Sequence, residues 1–233
     1  MESLIGKIAN AFCSYRTRAG ATGLIGLSLL LYAGSHQAQQ FADEAMLKRL
    51  RQDYNIEAEQ RGIALNKLVQ ELQDKDVKQK LVEVNRFFNQ FKYRDDLEQW
   101  GVKDYWATPE EFLGVNHGDC EDYVIAKYFV LRSLGISDDH LYLTYVKAVN
   151  LNVAHMVLSY FETPGSIPLI LDNYEPRILV ATRRKDLLPV YSFNANSLFL
   201  TNPSAGLGRS LPTDKIRNSK WQKLLSNMKK AKP

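Results

Sequence analysis

The chain has 233 residues, 45% of them apolar and 24% charged, with a formal net charge of +4. These values fit one medium globular domain. They exclude a disordered chain, a collagen-like repeat and a polytopic membrane protein, and so mild a charge does not point to nucleic acid. Two cysteines limit any intramolecular disulfide framework to a single bridge.

Residues 1–38 read as an address. Lys7, Arg16 and Arg18 face one acid, Glu2; an apolar run from Gly20 to Gly34 follows, and Ala33, Gly34 and Ser35 form a small-residue exit. That order is the pattern of a secretory signal peptide, and the run falls short of the ~20 residues that a membrane-spanning helix needs. Export would leave 39–233 as a single domain. It would also remove Cys13 and leave Cys120 as a lone thiol in surroundings that oxidise paired thiols.

Residues 42–91 contain one glycine, Gly62, and no proline; Leu47, Leu50, Tyr54, Leu65, Leu68 and Leu72 recur at helical spacing. Val77, Leu81, Val84, Phe88 and Phe91 form the stripe of an amphipathic helix. Thr108-Pro109-Glu110-Glu111 predicts a short helix with Thr108 as cap and Pro109 at its first position. Cys120 to Leu134 predicts a helix that is apolar almost all round, hence central, stopped by Gly135. The period then changes. Segments 140–149, 153–161, 169–174, 178–182 and 190–193 are β-branched and aromatic, bounded by Asn, Pro and Gly. Helices first (42–134) and strands second (140–200) predict an α+β fold with the central helix packed on an antiparallel sheet. The stretch 213–233 reads as a basic tail, in which Trp221, Leu224 and Leu225 suggest a short amphipathic helix with a solvated basic end.

The stretch that carries chemistry is Asn116-His117-Gly118-Asp119-Cys120-Glu121-Asp122-Tyr123. It places a thiol in the first turn of a buried helix, where the helix dipole favours the nucleophilic thiolate. Among the four histidines, His155 lies inside a predicted strand and shares a face with Val153, Val157 and Ser159. If Glu162–Gly165 form the hairpin loop, Phe161 pairs with Ser166 and Asp172 falls directly opposite His155. A two-residue change of register would keep the two on one face, whereas a one-residue slip would separate them. Thiol, imidazole and carboxylate could then work together in acyl transfer. On the residues alone, an inert buried cysteine, a core histidine and a turn aspartate stay open. Asp119, Glu121 and Asp122 crowd the thiol with negative charge, which opposes ionisation. They either cap the helix or gather a hard cation such as Ca²⁺.

Asn116–Tyr123, Ala154-His155-Met156-Val157-Leu158 and Leu171-Asp172-Asn173 resemble the bacterial transglutaminase-like cysteine proteinases, in particular the LapG-type periplasmic proteases. Further similarity runs through Lys80–Asn89, Trp106–Leu113 and Leu188–Asn194. The resemblance implies a papain-like or transglutaminase-like core, with Cys120 as nucleophile, His155 as general base and acid, and Asp172 orienting it. It also implies a calcium requirement met by Asp119 and Glu121, with Asp122 beside them. The implied substrate is a large surface adhesin cut at a di-alanine site near its N-terminus. The implied partner is the periplasmic domain of an inner-membrane cyclic-di-GMP receptor that sequesters the protease. A transglutaminase or deamidase using the same three residues, and a non-catalytic periplasmic binding module, are the other readings.

Overall fold

A computed structural model describes residues 40–201, 206–211 and 219–230; the predicted signal peptide lies outside them. Four helix starts use the side-chain caps their sequences offer. Asp43, Asn55, Asp76 and Thr108 each accept a backbone N–H of the first turn, and they open α1 (Glu44–Arg49), α2 (Ile56–Leu72), α3 (Val77–Phe88) and α5 (Pro109–Val115). At α5 the cap is reciprocal, because Glu111 bonds back to the Thr108 N–H. A π-helical turn, Leu50–Tyr54, joins α1 to α2. The short α4 (Asp96–Trp100) and a two-residue parallel pair, β1 (Lys92–Tyr93) with β2 (His117–Gly118), fill the irregular stretch before the central helix.

The central helix, α6 (Cys120–Ser133), follows at once, with Gly135 at φ +86° just beyond it. It packs on an antiparallel sheet of seven strands. In chain order these are β3 (Leu141–Ala148), β4 (Val153–Tyr160), β5 (Leu169–Leu171), β6 (Leu179–Val180), β7 (Leu187–Phe193), β8 (Leu198–Leu200) and β9 (Arg209–Leu211). Their spatial order is β6-β5-β4-β3-β7-β8-β9. Val124, Ile125 and Leu131 of α6 meet Leu143, Met156, Leu158 and Leu171 in the main core, and Val146, Val157, Ile170 and Leu187 form a smaller cluster on the far face. The α+β expectation and the central helix therefore hold.

One expectation is corrected. The hairpin loop after β4 is longer than the predicted Glu162–Gly165: Tyr160 pairs with Leu169 rather than Phe161 with Ser166, a shift of two residues. Pro164 and Pro168 have no N–H for a ladder, and Thr163 and Ser166 close a turn of their own through side-chain bonds. The short amphipathic helix expected around Trp221, Leu224 and Leu225 is α7 (Ser219–Lys230): Trp221, 1% exposed, stacks on Phe129 of α6, while Lys229 and Lys230 are exposed at its end.

Candidate active site

Cys120 stands at the first position of α6 and is half-buried and free. His155, on β4, is buried, and its Nε2 lies 2.8 Å from Asp172 Oδ1. The two-residue register shift makes Asp172 a diagonal neighbour of His155 rather than its direct opposite. The shared face survives because side chains alternate with period two. Tyr174, beyond the end of β5, stacks on the imidazole, with ring centres 4.4 Å apart and planes 5° from parallel. A carboxylate only accepts, so Nε2 carries the proton, and the other ring nitrogen, Nδ1, is left with a free lone pair. That Nδ1 is buried and, among the described residues, has no hydrogen-bond partner. Cys120 and His155 both line one cleft of ≈ 440 Å³, together with Tyr93, Leu97 and Tyr145. The other candidates stand apart: His117 Nδ1 bonds the Val115 carbonyl, and His140 Nδ1 bonds that of Phe161.

Asp172 is secured on every side. Oδ1 also accepts the Tyr174 N–H at 3.1 Å, and Oδ2 accepts from Arg184 Nη2 at 2.7 Å. Its backbone carbonyl accepts from Asn89 Nδ2, at the end of α3, and Asn89 Oδ1 in turn accepts from Lys127 Nζ at 2.7 Å. Burial alone would raise its pKa. The bonds from His155, Arg184 and Tyr174 outweigh burial and hold the carboxyl down at about 2.

The thiol side is the reverse. Cys120 Sγ donates to Glu121 Oε2 at 3.0 Å. Burial pushes its pKa well up, and the charges of Glu121 and Asp119 push it further. The Met156 N–H, one residue from His155, pulls the other way by bonding the sulfur. Asp119 occupies the cap position of α6, yet its side chain makes no cap bond and its Oδ1 is buried without a partner. Burial, then the charges of Glu121 and Asp122, lift it to about 10. Asp122 is fully buried. One oxygen accepts the Ala107 N–H, the other has no partner, and burial pushes its pKa well up. A Cβ at Gly118 would collide with this carboxylate, so only glycine fits there.

A fourth acid completes the cluster. Asp96, on α4, is 4% exposed and lifted to about 6, chiefly by burial, and its Oδ1 also lacks a partner. Ligand atoms of Asp96, Asp119 and Asp122 lie within 4.8 Å of one another, as do those of Asp119, Cys120 and Glu121, so Asp119 belongs to both groups. Three buried carboxylate oxygens without donors form a set that a hard, oxygen-seeking cation fits. Helix capping, the other reading of these acids, does not account for Asp119. Sequence reasoning missed Asp96, Arg184, Asn89 and Lys127. Trp106 is core, 4% exposed and stacked on Phe193.

A thiol at the start of α6 shares a cleft with an imidazole bonded to a carboxylate, an arrangement suited to the acyl-transfer chemistry of a transglutaminase-like thiol enzyme. The model of the bacterial transglutaminase-like cysteine proteinases matches residues 52–186, more than half of the chain, and the chain belongs to that family. Its structure is similar to that of LapG from Legionella pneumophila, at 43% identity over 79% of this chain and 96% of that one, with a TM-score of 0.67. It is likewise similar to the EGTA-treated form of that protein, with a TM-score of 0.69. The calcium-bound form gives 0.67 and covers 78% of this chain and 97% of that one. No curated protein sequence matches. Among the described residues, no helix is long and apolar enough to cross a membrane.

Proposed function

We propose that this cysteine peptidase is a calcium-dependent periplasmic endopeptidase in which Cys120 is the nucleophile, His155 the general base and acid, and Asp172 the residue that orients it. The observation that carries the reading is the bond from His155 Nε2 to Asp172, which leaves Nδ1 as the free base in the cleft that Cys120 also lines. Nδ1 takes the thiol proton as the sulfur attacks the scissile carbonyl carbon. The backbone N–H of Cys120, at the start of α6, is placed to stabilise the oxyanion. The imidazolium then gives its proton to the leaving amine. Water, activated by the same nitrogen, hydrolyses the thioester and frees the thiol.

Calcium held by Asp119 and Glu121, with Asp122 and Asp96 completing the oxygen set, would supply positive charge that neutralises the acids around the thiol. The orphaned carboxylate oxygens support this, as does the existence of calcium-bound and EGTA-treated forms of a 43% identical relative. The likeness to LapG further supports a large surface adhesin as substrate, cut at paired alanines near its N-terminus so that the adhesin is released and biofilm dispersed. On the same likeness, the periplasmic domain of an inner-membrane cyclic-di-GMP receptor holds the enzyme in check.

The test is mass spectrometry of an adhesin N-terminal fragment after incubation with the protein and calcium, beside Cys120→Ala. Two fragments ending at paired alanines, absent with the variant, are expected. An intact chain about one dalton heavier would overturn the reading in favour of glutamine deamidation by the same thiol chemistry.

A further inference from the structure

We propose that Arg184 is a positioning residue of this active site: its guanidinium clamps the outer oxygen of Asp172, so that the inner oxygen points at His155 and the carboxylate stays anionic. This rests on the catalytic roles given to His155 and Asp172 above. Arg184 lies in the basic run Arg183-Arg184-Lys185, where solvated side chains are the ordinary expectation, yet it alone of the three is buried, at 5% exposure. A 3₁₀ turn, Ala181–Arg183, bends the chain after β6 and delivers it inward. Its Nη2 sits 2.7 Å from Asp172 Oδ2 and 2.7 Å from Asp186 Oδ2, and its Nε bonds Asp186 Oδ1 at 3.0 Å. Asp186 therefore holds the guanidinium and the guanidinium holds Asp172.

The clamp divides the work of the two carboxylate oxygens. Oδ1 serves the imidazole and the Tyr174 N–H, while Oδ2 is bound to Arg184. Without it, a fully buried carboxylate would keep one oxygen unpaired, free to rotate away from Nε2 or to take up a proton. A protonated Asp172 could no longer fix the His155 tautomer that leaves Nδ1 free. Stability alone is a poor reason for such a pair, because desolvating both ions offsets most of their attraction; fixing a single geometry is the better-attested use. The planar fork also makes lysine an imperfect substitute.

The experiment measures peptide cleavage, and alkylation of Cys120 by iodoacetamide, in the full chain with calcium. Arg184→Ala should lower kcat about tenfold to a hundredfold, the range a misplaced reacting group produces, with KM within about twofold. In an Asp172→Asn background, Arg184→Ala should cost less than about twofold more, because residues that act as one unit are not additive. Arg184 lines a small cavity of ≈ 50 Å³ on the far face of the sheet. Guanidinium at millimolar concentration should therefore restore kcat to Arg184→Ala, while urea, its uncharged isostere, should not. Arg184→Lys should keep an intermediate rate and shows that the fold survives; melting curves of every variant check this.

Full additivity with Asp172→Asn overturns the proposal. So does a loss of melting temperature with kcat unchanged, or equal rescue by urea. If the wild-type chain cleaves no peptide but Cys120 alkylation still follows the same variant pattern, the substrate reading fails and the clamp stands. If alkylation is also indifferent to Arg184, the clamp fails.

Discussion

The two walls of the cleft are built to opposite electrostatic plans. On the sheet side, His155, Asp172, Arg184 and Asp186 form a continuous chain of paired groups, with Asn89 and Lys127 behind it. On the helix side, Asp96, Asp119 and Asp122 each bury an oxygen that nothing among the described residues satisfies. The first wall pairs its carboxylates within the chain, with His155 Nδ1 and Arg184 Nη1 as its own buried atoms without a partner among the described residues. The second is an acid cluster whose parts repel one another and the thiol beside them, and it becomes coherent only when a cation or several protons join it. The groups proposed to move the proton are thus preassembled, while the acids beside the thiol bury oxygens that the described residues do not satisfy.

Breaking the chemistry outright gives the largest effect. Cys120→Ala should leave no measurable cleavage. Asp172→Asn should lower kcat by about 10³-fold, within the range for losing acid–base catalysis, as read by initial rates. A folded variant that retains most of its rate would remove the sheet wall from the mechanism.

The helix wall is sharpened by calcium and pH together. Asp119 is raised to about 10, and Asp96 to about 6, above their ordinary value of 3.8. Without metal, the folded state therefore binds more protons than the unfolded one, and stability falls as pH rises above about 4 toward those values. Calcium bound by these acids, as proposed, would take the place of those protons. Melting curves should show little calcium stabilisation at pH 5 and a shift of several degrees at pH 8; equal shifts at both would contradict the account. Asp96→Asn should weaken calcium binding about tenfold, a size common for supporting groups at metal sites, as read by titration calorimetry.

The smallest effect comes from the lysine beneath the sheet wall. Complete burial holds Lys127 down at about 7, against 10.5 ordinarily. Between pH 7 and 10.5 the unfolded state holds the extra proton, so this residue makes stability rise with pH across that window, and its cost is greatest below pH 7. Lys127→Met should melt higher than the parent at pH 6, with the gap closing toward pH 10. Its kcat should drop about two- to fivefold, because Asn89 loses the partner that aims it at Asp172.

What the sequence made legible follows from how local each signal is. The Thr108 cap, the Cys120 helix and the Gly135 stop depend on neighbours within one turn, and all three appear where the spacing puts them. The meeting of His155 and Asp172 was legible although the loop was not, since a two-residue error preserves the face of a strand. Asp96 was invisible because an irregular stretch brings it to Asp119, and no periodicity connects the two. Arg184 was hidden in a run that reads as surface. Lys127 was masked in a helix whose burial argued against any charge at all. The short strands β8 and β9 carry three residues each, too few for alternation to register.

The most direct measurement is a calcium titration of cleavage, using a paired-alanine peptide in EGTA-buffered solutions with Cys120→Ala in parallel. The account predicts no cleavage in EGTA, a saturable rise with free calcium, full recovery when calcium is returned, and none of this in the variant. Cleavage by the wild-type chain that persists unchanged in EGTA would contradict it, because the acid cluster beside Cys120 would then need no cation to let the thiol react.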